Sequence, residues 1–223
     1  TGTVLAVWIL PLLAAPPIFS HDAYSYAAQG WLMENDINPY EGYPGLLPGV
    51  FADQVAQEWR FTRTPYGPLS LQLQHDIVRL AGFHPYWSAV MMRIPALVGV
   101  VLIGVFLPRL ARRTGHDASF AAWFGVLNPL LVVDFVGGAH NDSFMMGLMV
   151  FGLWLATTAS WAWIPAALVI GASAAVKQPA VMAAVALPFI VHPMPSWRPR
   201  HVVTALGRVV GSLADAAGAF ALI

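Results

Sequence analysis

The chain has 223 residues, of which 58% are hydrophobic and only 10% charged, and its net charge is zero. Soluble domains carry about 25% charged residues, so the composition excludes an ordinary soluble domain and a disordered chain, and points to a membrane protein. Zero net charge gives no global field for nucleic acid, and the lack of cysteine excludes disulfides and thiolate metal sites.

In chain order, the first expected span is Val4 to Phe19, uncharged and ended by Pro16-Pro17. It has neither the basic flank nor the small-residue cleavage site of a signal peptide. A long loop from Ser20 to Pro85 follows. Its pattern predicts a juxtamembrane helix over His21 to Glu34 with Ser20 as N-cap. A turn-rich stretch, Asn38-Pro39-Tyr40 through Pro48-Gly49, precedes helices at Phe51 to Trp59 and Pro68 to Ala81. A loop this long with so many turn signals and aromatics reads as a folded cap rather than a linker. Further apolar runs cover Tyr86 to Leu107, Ala118 to Phe135, Ser143 to Thr158, Trp161 to Val176, Pro179 to Val191 and Val202 to Ile223, giving about seven crossings. The middle runs are short and are expected to pack in pairs. The chain starts with Thr1 and stops within an apolar run, and it reads as an internal part, 1–223, of a longer membrane domain.

Arg109, Arg112 and Arg113 form one basic loop, and Arg198 and Arg200 another, separated by an even number of crossings. By the positive-inside rule both are cytoplasmic, in a multi-pass plasma-membrane protein. The loop over 20–85, the turn Gly137 to Asp142 and the turn at Lys177 then face outward. The outward loop holds seven of the eleven acids and three of the eleven Lys and Arg residues.

Three polar clusters fall on that outer face. The first centres on Asp22, which shares a helix side with Tyr26 and Gln29. Asp22 suits either a dipole-compensating first-turn acid or a general base at the mouth of a helical bundle. The second is Gly137-Gly138-Ala139-His140-Asn141-Asp142, where Asn141 or Asp142 could cap the next helix and the glycines permit a tight turn. None of these acids and histidines has metal-ligand spacing, and a divalent metal is left open as a cofactor. The third is Lys177-Gln178-Pro179 between two apolar runs. Snorkelling of Lys177 outward would run against the charge bias, so an anionic partner is expected. Arg93 resembles it, and Asp134 is a candidate partner for one of the cations, which include Arg60 and Arg63. A carboxylate and several cations beside lipid suit transfer of a sugar from a lipid phosphate carrier. The carrier phosphate gains charge as the sugar leaves, and fixed cations stabilise that change. Tyr24, Tyr26, Tyr40, Tyr43, Trp59 and Tyr66 could line a sugar groove or anchor the interface.

The block Ser20-His21-Asp22-Ala23-Tyr24-Ser25-Tyr26 through Gly30 resembles a segment of the actinobacterial polyprenol-phosphate-mannose-dependent α-1,6-mannosyltransferases. So do Asn38-Pro39-Tyr40, Thr64-Pro65-Tyr66-Gly67-Pro68-Leu69, Gly138-Ala139-His140-Asn141-Asp142 and Lys177-Gln178-Pro179, in the family's order. His21 departs from the family pattern, which usually has Arg before the loop aspartate. The resemblance implies an all-α GT-C transmembrane bundle with an extracytoplasmic active site and Asp22 as catalytic base. It also implies a polyprenyl-phosphate-mannose donor and an α-1,6-mannan, lipomannan-type acceptor. On this reading Tyr26, Arg60, Arg63, Tyr66, His140, Asn141, Asp142, Lys177 and Gln178 bind substrate. The alternatives are a lipid-phosphate-dependent transferase of another sugar, or a transporter or flippase.

Overall fold

The computed structural model describes residues 2–191 and 198–222. Every element among the described residues is helical. In chain order these are α1 (Gly2–Ala14), α2 (Asp22–Glu34), a 3₁₀ turn (Pro44–Leu46), the short α3 (Val50–Asp53) and α4 (Gln57–Arg60), α5 (Pro68–Leu80), α6 (Pro85–Met91) and α7 (Arg93–Arg113). Then follow α8 (Ala118–Ala121) running into a π-helical turn (Ala122–Val126), a second π-helical segment (Leu131–Gly137), α9 (Asp142–Ala156), α10 (Trp163–Val176), a 3₁₀ helix (Gln178–Met182), α11 (Ala183–Val191) and α12 (Pro199–Ala221).

All seven apolar runs expected from the sequence contain helix, but their lengths differ. Two stretches are long and apolar enough to cross a membrane: the 29 residues of Pro85–Arg113 and the 23 of Pro199–Ala221. A third qualifies only if Ala118–Val126 and Leu131–Gly137 count as one broken span. The break falls at Asn128-Pro129, where proline has no N–H to continue the ladder and Asn128 Oδ1 accepts from Leu130 N at 3.0 Å. Gly2–Ala14, Asp142–Ala156, Trp163–Val176 and Gln178–Ile190 are shorter apolar helices. The 13 residues of α1 rise about 20 Å, against an apolar bilayer core of about 30 Å. Exposed apolar residues recur at helical spacing on α7 (Val98, Val101, Val105) and on α12 (Val203, Leu206, Val210). Stripes of this kind suit contact with lipid.

The chain divides into two compact units, Thr1–Val98 with Leu127–Ser143, and Gly99–Val126 with Phe144–Ile223. The first is organised around α2, which packs on α3, α5 and α6. Gly30 makes this approach feasible: a Cβ there would lie 2.5 Å from the Gln74 carbonyl oxygen on α5. Ala23, Tyr26, Ala27, Ala28, Ile77 and Val78 form the core of that contact. The expected helix over Phe51 to Trp59 is instead two short ones. Between them the chain turns to bury Val55, and Arg60 Nε returns to the Ala52 carbonyl at 2.9 Å. Arg93, 3% exposed, has carbonyls rather than a carboxylate as partners. It donates to Ala15 O (2.6 Å), Pro16 O (2.8 Å) and Val136 O (3.0 Å), binding the end of α1 to the π segment.

In the second unit α10, α11 and α12 pack through small residues. A Cβ at Gly171 would meet the Ala216 carbonyl oxygen at 2.4 Å, and one at Gly147 the Gly99 carbonyl oxygen at 2.7 Å. Backbones that approach this closely gain dispersion contacts that need no water to be expelled, as helix packing in lipid requires.

Candidate active site

The start of α2 sets the site. The N-cap position is His21, not Ser20 as expected, and it makes no side-chain cap bond; Ser20, one residue earlier, accepts from the Asp22 backbone N–H through its Oγ at 3.1 Å. One turn on, the Tyr26 hydroxyl lies 3.4 Å from Asp22 Oδ2 and 3.3 Å from Asn141 Oδ1. Tyr26 is 2% exposed. Asn141 is not used as a simple helix cap: its Nδ2 donates to Ser70 Oγ on α5 at 3.1 Å, and Gln74 Nε2 donates to the same oxygen at 3.0 Å. A buried polar chain thus joins α2, α5 and the turn before α9, with Gln74 Oε1 at its end left without a partner.

His140 completes the group. Its Nδ1 stands 3.1 Å from Asp22 Oδ2, and its Nε2 is 3.6 Å from Asp134 Oδ1 on the π segment. The turn before it is shaped for this ring. A Cβ at Gly138 would lie 2.6 Å from His140 Cδ2, so only glycine leaves the imidazole its place. Ala139 holds φ at +55°, an unusual backbone for a residue with a Cβ. Asp134, which could have paired with a lysine or arginine, faces the imidazole instead. The side chains of His140 and Asp22 are 16% and 27% exposed.

The electrostatics follow from this contact. The hydrogen bond from His140 holds the Asp22 carboxyl below the usual aspartate range, against burial, which pushes it up. The same bond raises His140, again against burial, and Asp134 and Asp142 add to the rise. Burial pushes the Tyr66 hydroxyl to about 12. Burial also raises Tyr26 well above the ordinary phenol value, helped by Tyr66 and Asp22, so both phenols remain proton donors near neutral pH. The Tyr26 and Tyr66 rings meet edge to face at 5.1 Å.

Beside Asp22 lies a cleft of about 70 Å³ lined by Ser25, Gln29, Trp59, Arg63 and Tyr66 among others. Arg63 is exposed and, among the described residues, has no carboxylate partner. Arg60 pairs with Asp53. Of the other aromatics, Tyr24 reaches the Pro17 carbonyl, Tyr40 donates to the Tyr66 carbonyl at 3.0 Å, and Tyr43 packs edge-on against Phe61. Asp142 opens α9 and is half-buried. Lys177 and Gln178 lie in the second unit, where Lys177 adopts extended backbone (φ −152°) that ends α10 and begins the 3₁₀ helix. Among the described residues no group of three or more His, Asp or Glu side chains surrounds a common metal position.

Residues 1–194 match the family described as Alpha-(1->6)-mannopyranosyltransferase, N-terminal domain. The chain belongs to this family. It is 34% identical to the Alpha-(1->6)-mannopyranosyltransferase A of Corynebacterium glutamicum over 187 residues, 84% of this chain and 37% of that protein. It is 35% identical to the Alpha-(1->6)-mannopyranosyltransferase A of Mycobacterium tuberculosis over 185 residues, 83% of this chain and 35% of that protein. Against Alpha-(1->6)-mannopyranosyltransferase B of C. glutamicum the identity is 36% over 151 residues, 66% of this chain and 25% of that protein. The chain therefore spans about a third of the length of the first two relatives. No solved structure matches it.

All the residues of the cleft and of the Asp22–His140 contact lie within the stretch that matches this mannopyranosyltransferase domain. Sequence reasoning missed two of its supports. Ser70 sits on an ordinary amphipathic helix and carries no local signal. Thr64, whose hydroxyl donates to Gln29 Oε1 at 3.1 Å, could have been found only through its Thr-Pro-Tyr-Gly-Pro block.

Proposed function

We propose that this domain serves the transfer of mannose from a polyprenyl-phosphate carrier to an α-1,6-mannan acceptor, with Asp22 as general base. The observation that carries the reading is the half-buried Asp22, paired with His140, at a cleft that also presents Arg63 and Tyr66. The acceptor oxygen bonds to the anomeric carbon, its proton passes to Asp22, and the bond from that carbon to the carrier oxygen breaks with its electron pair left on phosphate. The leaving phosphate goes from about one negative charge toward two, which a fixed guanidinium stabilises more in the transition state than before it. Arg63 is the cation placed for this on the Asp22 side. Tyr26 and Asn141 hold the carboxylate and the His140 turn in register, and Tyr66 offers a protonated hydroxyl and a ring face for a sugar. Asp142 adds charge beside His140. Lys177 with Gln178 is proposed independently as a carrier-phosphate contact, and Lys177→Ala should raise the donor requirement.

The same reading takes the seven apolar runs as crossings of a GT-C membrane domain whose loop over 20–85 and site face outward. The basic loops at Arg109–Arg113 and Arg198–Arg200 support that orientation. Transfer of radiolabelled mannose from polyprenyl-phosphate-mannose to a mannan acceptor, in membranes containing the full-length protein, tests it. Transfer is expected with the mannose carrier and not with the corresponding glucose or arabinose carriers. Absence of any transfer, together with uptake of labelled substrate into sealed vesicles, would replace the reading with transport.

A further inference from the structure

His140 is held on both sides. Asp22 of α2 lies 3.1 Å from Nδ1, and Asp134 of the π segment lies 3.6 Å from Nε2. The backbone beneath it leaves the ring little choice, with Gly138 cleared for the imidazole and Ala139 at φ +55°. The two carboxylates differ in kind: Asp22 lines the cleft, whereas the Asp134 side chain is 61% exposed. A π-helical turn is widened by one residue per hydrogen bond and often marks a functional position. Here the seven-residue π segment carries Asp134, whose backbone carbonyl also accepts from Gly138 N at 3.1 Å. One residue therefore anchors the turn by its backbone and faces the ring by its side chain.

We propose that Asp134 is a positioning residue that holds the His140 ring with Nδ1 turned to Asp22, and through it governs how readily Asp22 accepts the acceptor's proton. At 3.6 Å, longer than a hydrogen bond, the Asp134 carboxylate acts on the ring through its charge: it orients the imidazolium and favours the protonated form. A protonated His140 withdraws basicity from Asp22, and a neutral one restores it. The groups that face His140 are Asp22 from α2, Asp134 from the π segment and Asp142 at the start of α9, with Tyr26 and Tyr66 behind Asp22. Arg93 is engaged with the carbonyls of Val136, Ala15 and Pro16. Asp134 is the exposed acid of the three, so it can be changed without opening the buried network. The inference rests on the proposed role of Asp22 for its effect on catalysis, but not for its effect on the ring.

The test uses the full-length protein and two readouts. In ring-¹⁵N histidine NMR, Asp134→Asn should move the His140 titration down by about half a pH unit, since removing a carboxylate near an imidazolium removes a stabilising charge partly screened by solvent. The pH profile of kcat/KM for mannose transfer should move the same way. Asp134→Glu should return both toward wild type. A His140 titration identical in Asp134→Asn and wild type overturns the proposal. So does an Asp134→Asn profile reduced in height without any displacement on the pH axis, which is what a purely structural role would give. Failure of the base reading looks different: Asp22→Ala would keep its transfer rate while the NMR shift on Asp134→Asn persisted.

Discussion

The two units solve opposite packing problems. The unit around α2 holds its elements with polar side chains: Tyr26, Asn141, Ser70 and Gln74 in one chain, Arg93 on three carbonyls, and His140 between two acids. The unit around α10 and α12 holds its elements by removing side chains, with Ala166, Ala167, Ala174, Ala175 and Gly171 in its contacts. A polar network specifies directions and leaves charge available for chemistry. A small-residue seam specifies distance only. The difference teaches that a polar network, unlike a small-residue seam, keeps ionisable groups such as Asp22 and His140 at hand for the proposed chemistry.

Substitutions should separate the two units. The largest effect is expected from Arg63→Glu, which places a carboxylate beside the proposed phosphate position and should raise the donor KM by about a hundredfold, the scale of reversing a charge-assisted contact. Steady-state kinetics over a range of donor checks it. An unchanged donor KM would remove Arg63 from the phosphate role. Next comes Gly138→Ala. Its methyl group would collide with the His140 ring and with the Asp134 carbonyl oxygen, 2.7 Å from the added Cβ, and kcat should fall about tenfold together with a lower melting temperature. Gly171→Val acts on the other unit. Overpacking against the Ala216 carbonyl should cost about 1–3 kcal/mol, seen as a lower melting temperature in detergent, with the pH profile of transfer unmoved. If Gly171→Val shifted that profile, the division of labour between the units would be wrong.

The smallest effect concerns stability and pH. Asp22 is lowered below the ordinary aspartate value, so its contribution is present above that value and lost as pH falls through the folded pKa. His140 is raised above 6.5, so its contribution is present below that value and lost as pH rises through the folded pKa. The pair therefore stabilises most between about pH 4 and 6.5, the span between the two ordinary values. His140→Gln should narrow its melting-temperature gap from wild type, a gap of about 2 °C, once the pH exceeds the folded value of His140. A gap that is constant from pH 5 to 9 would contradict a charged pair.

Much of this was legible in the sequence, for physical reasons. Apolar runs and their breakers located the long apolar helices of the described residues, and cap and turn signals located α2 and α5, because composition and proline act locally. Asp22, Tyr26 and Gln29 could be placed on one side of a helix from spacing alone, and the first pair is in contact in the structure. The Gly-Gly-Ala-His-Asn-Asp turn announced itself by residue type. What stayed hidden was pairing across distance. Nothing local says that Arg60 belongs to Asp53, that Arg93 binds carbonyls, or that Ser70 receives Asn141. The break at Asn128-Pro129 was also missed, since the apolar pattern runs through it, although the proline was in plain sight.

The central claim is that Asp22 takes the acceptor's proton. The most direct measurement is the initial rate of mannose transfer by the full-length Asp22→Asn protein at saturating donor and acceptor. Asparagine keeps the shape and the contact with His140 but removes the base. The rate should fall at least about a hundredfold while the donor KM stays within about twofold, the signature of an interaction made only in the transition state. A rate within about threefold of wild type, a difference of less than 1 kcal/mol in barrier, would contradict the account.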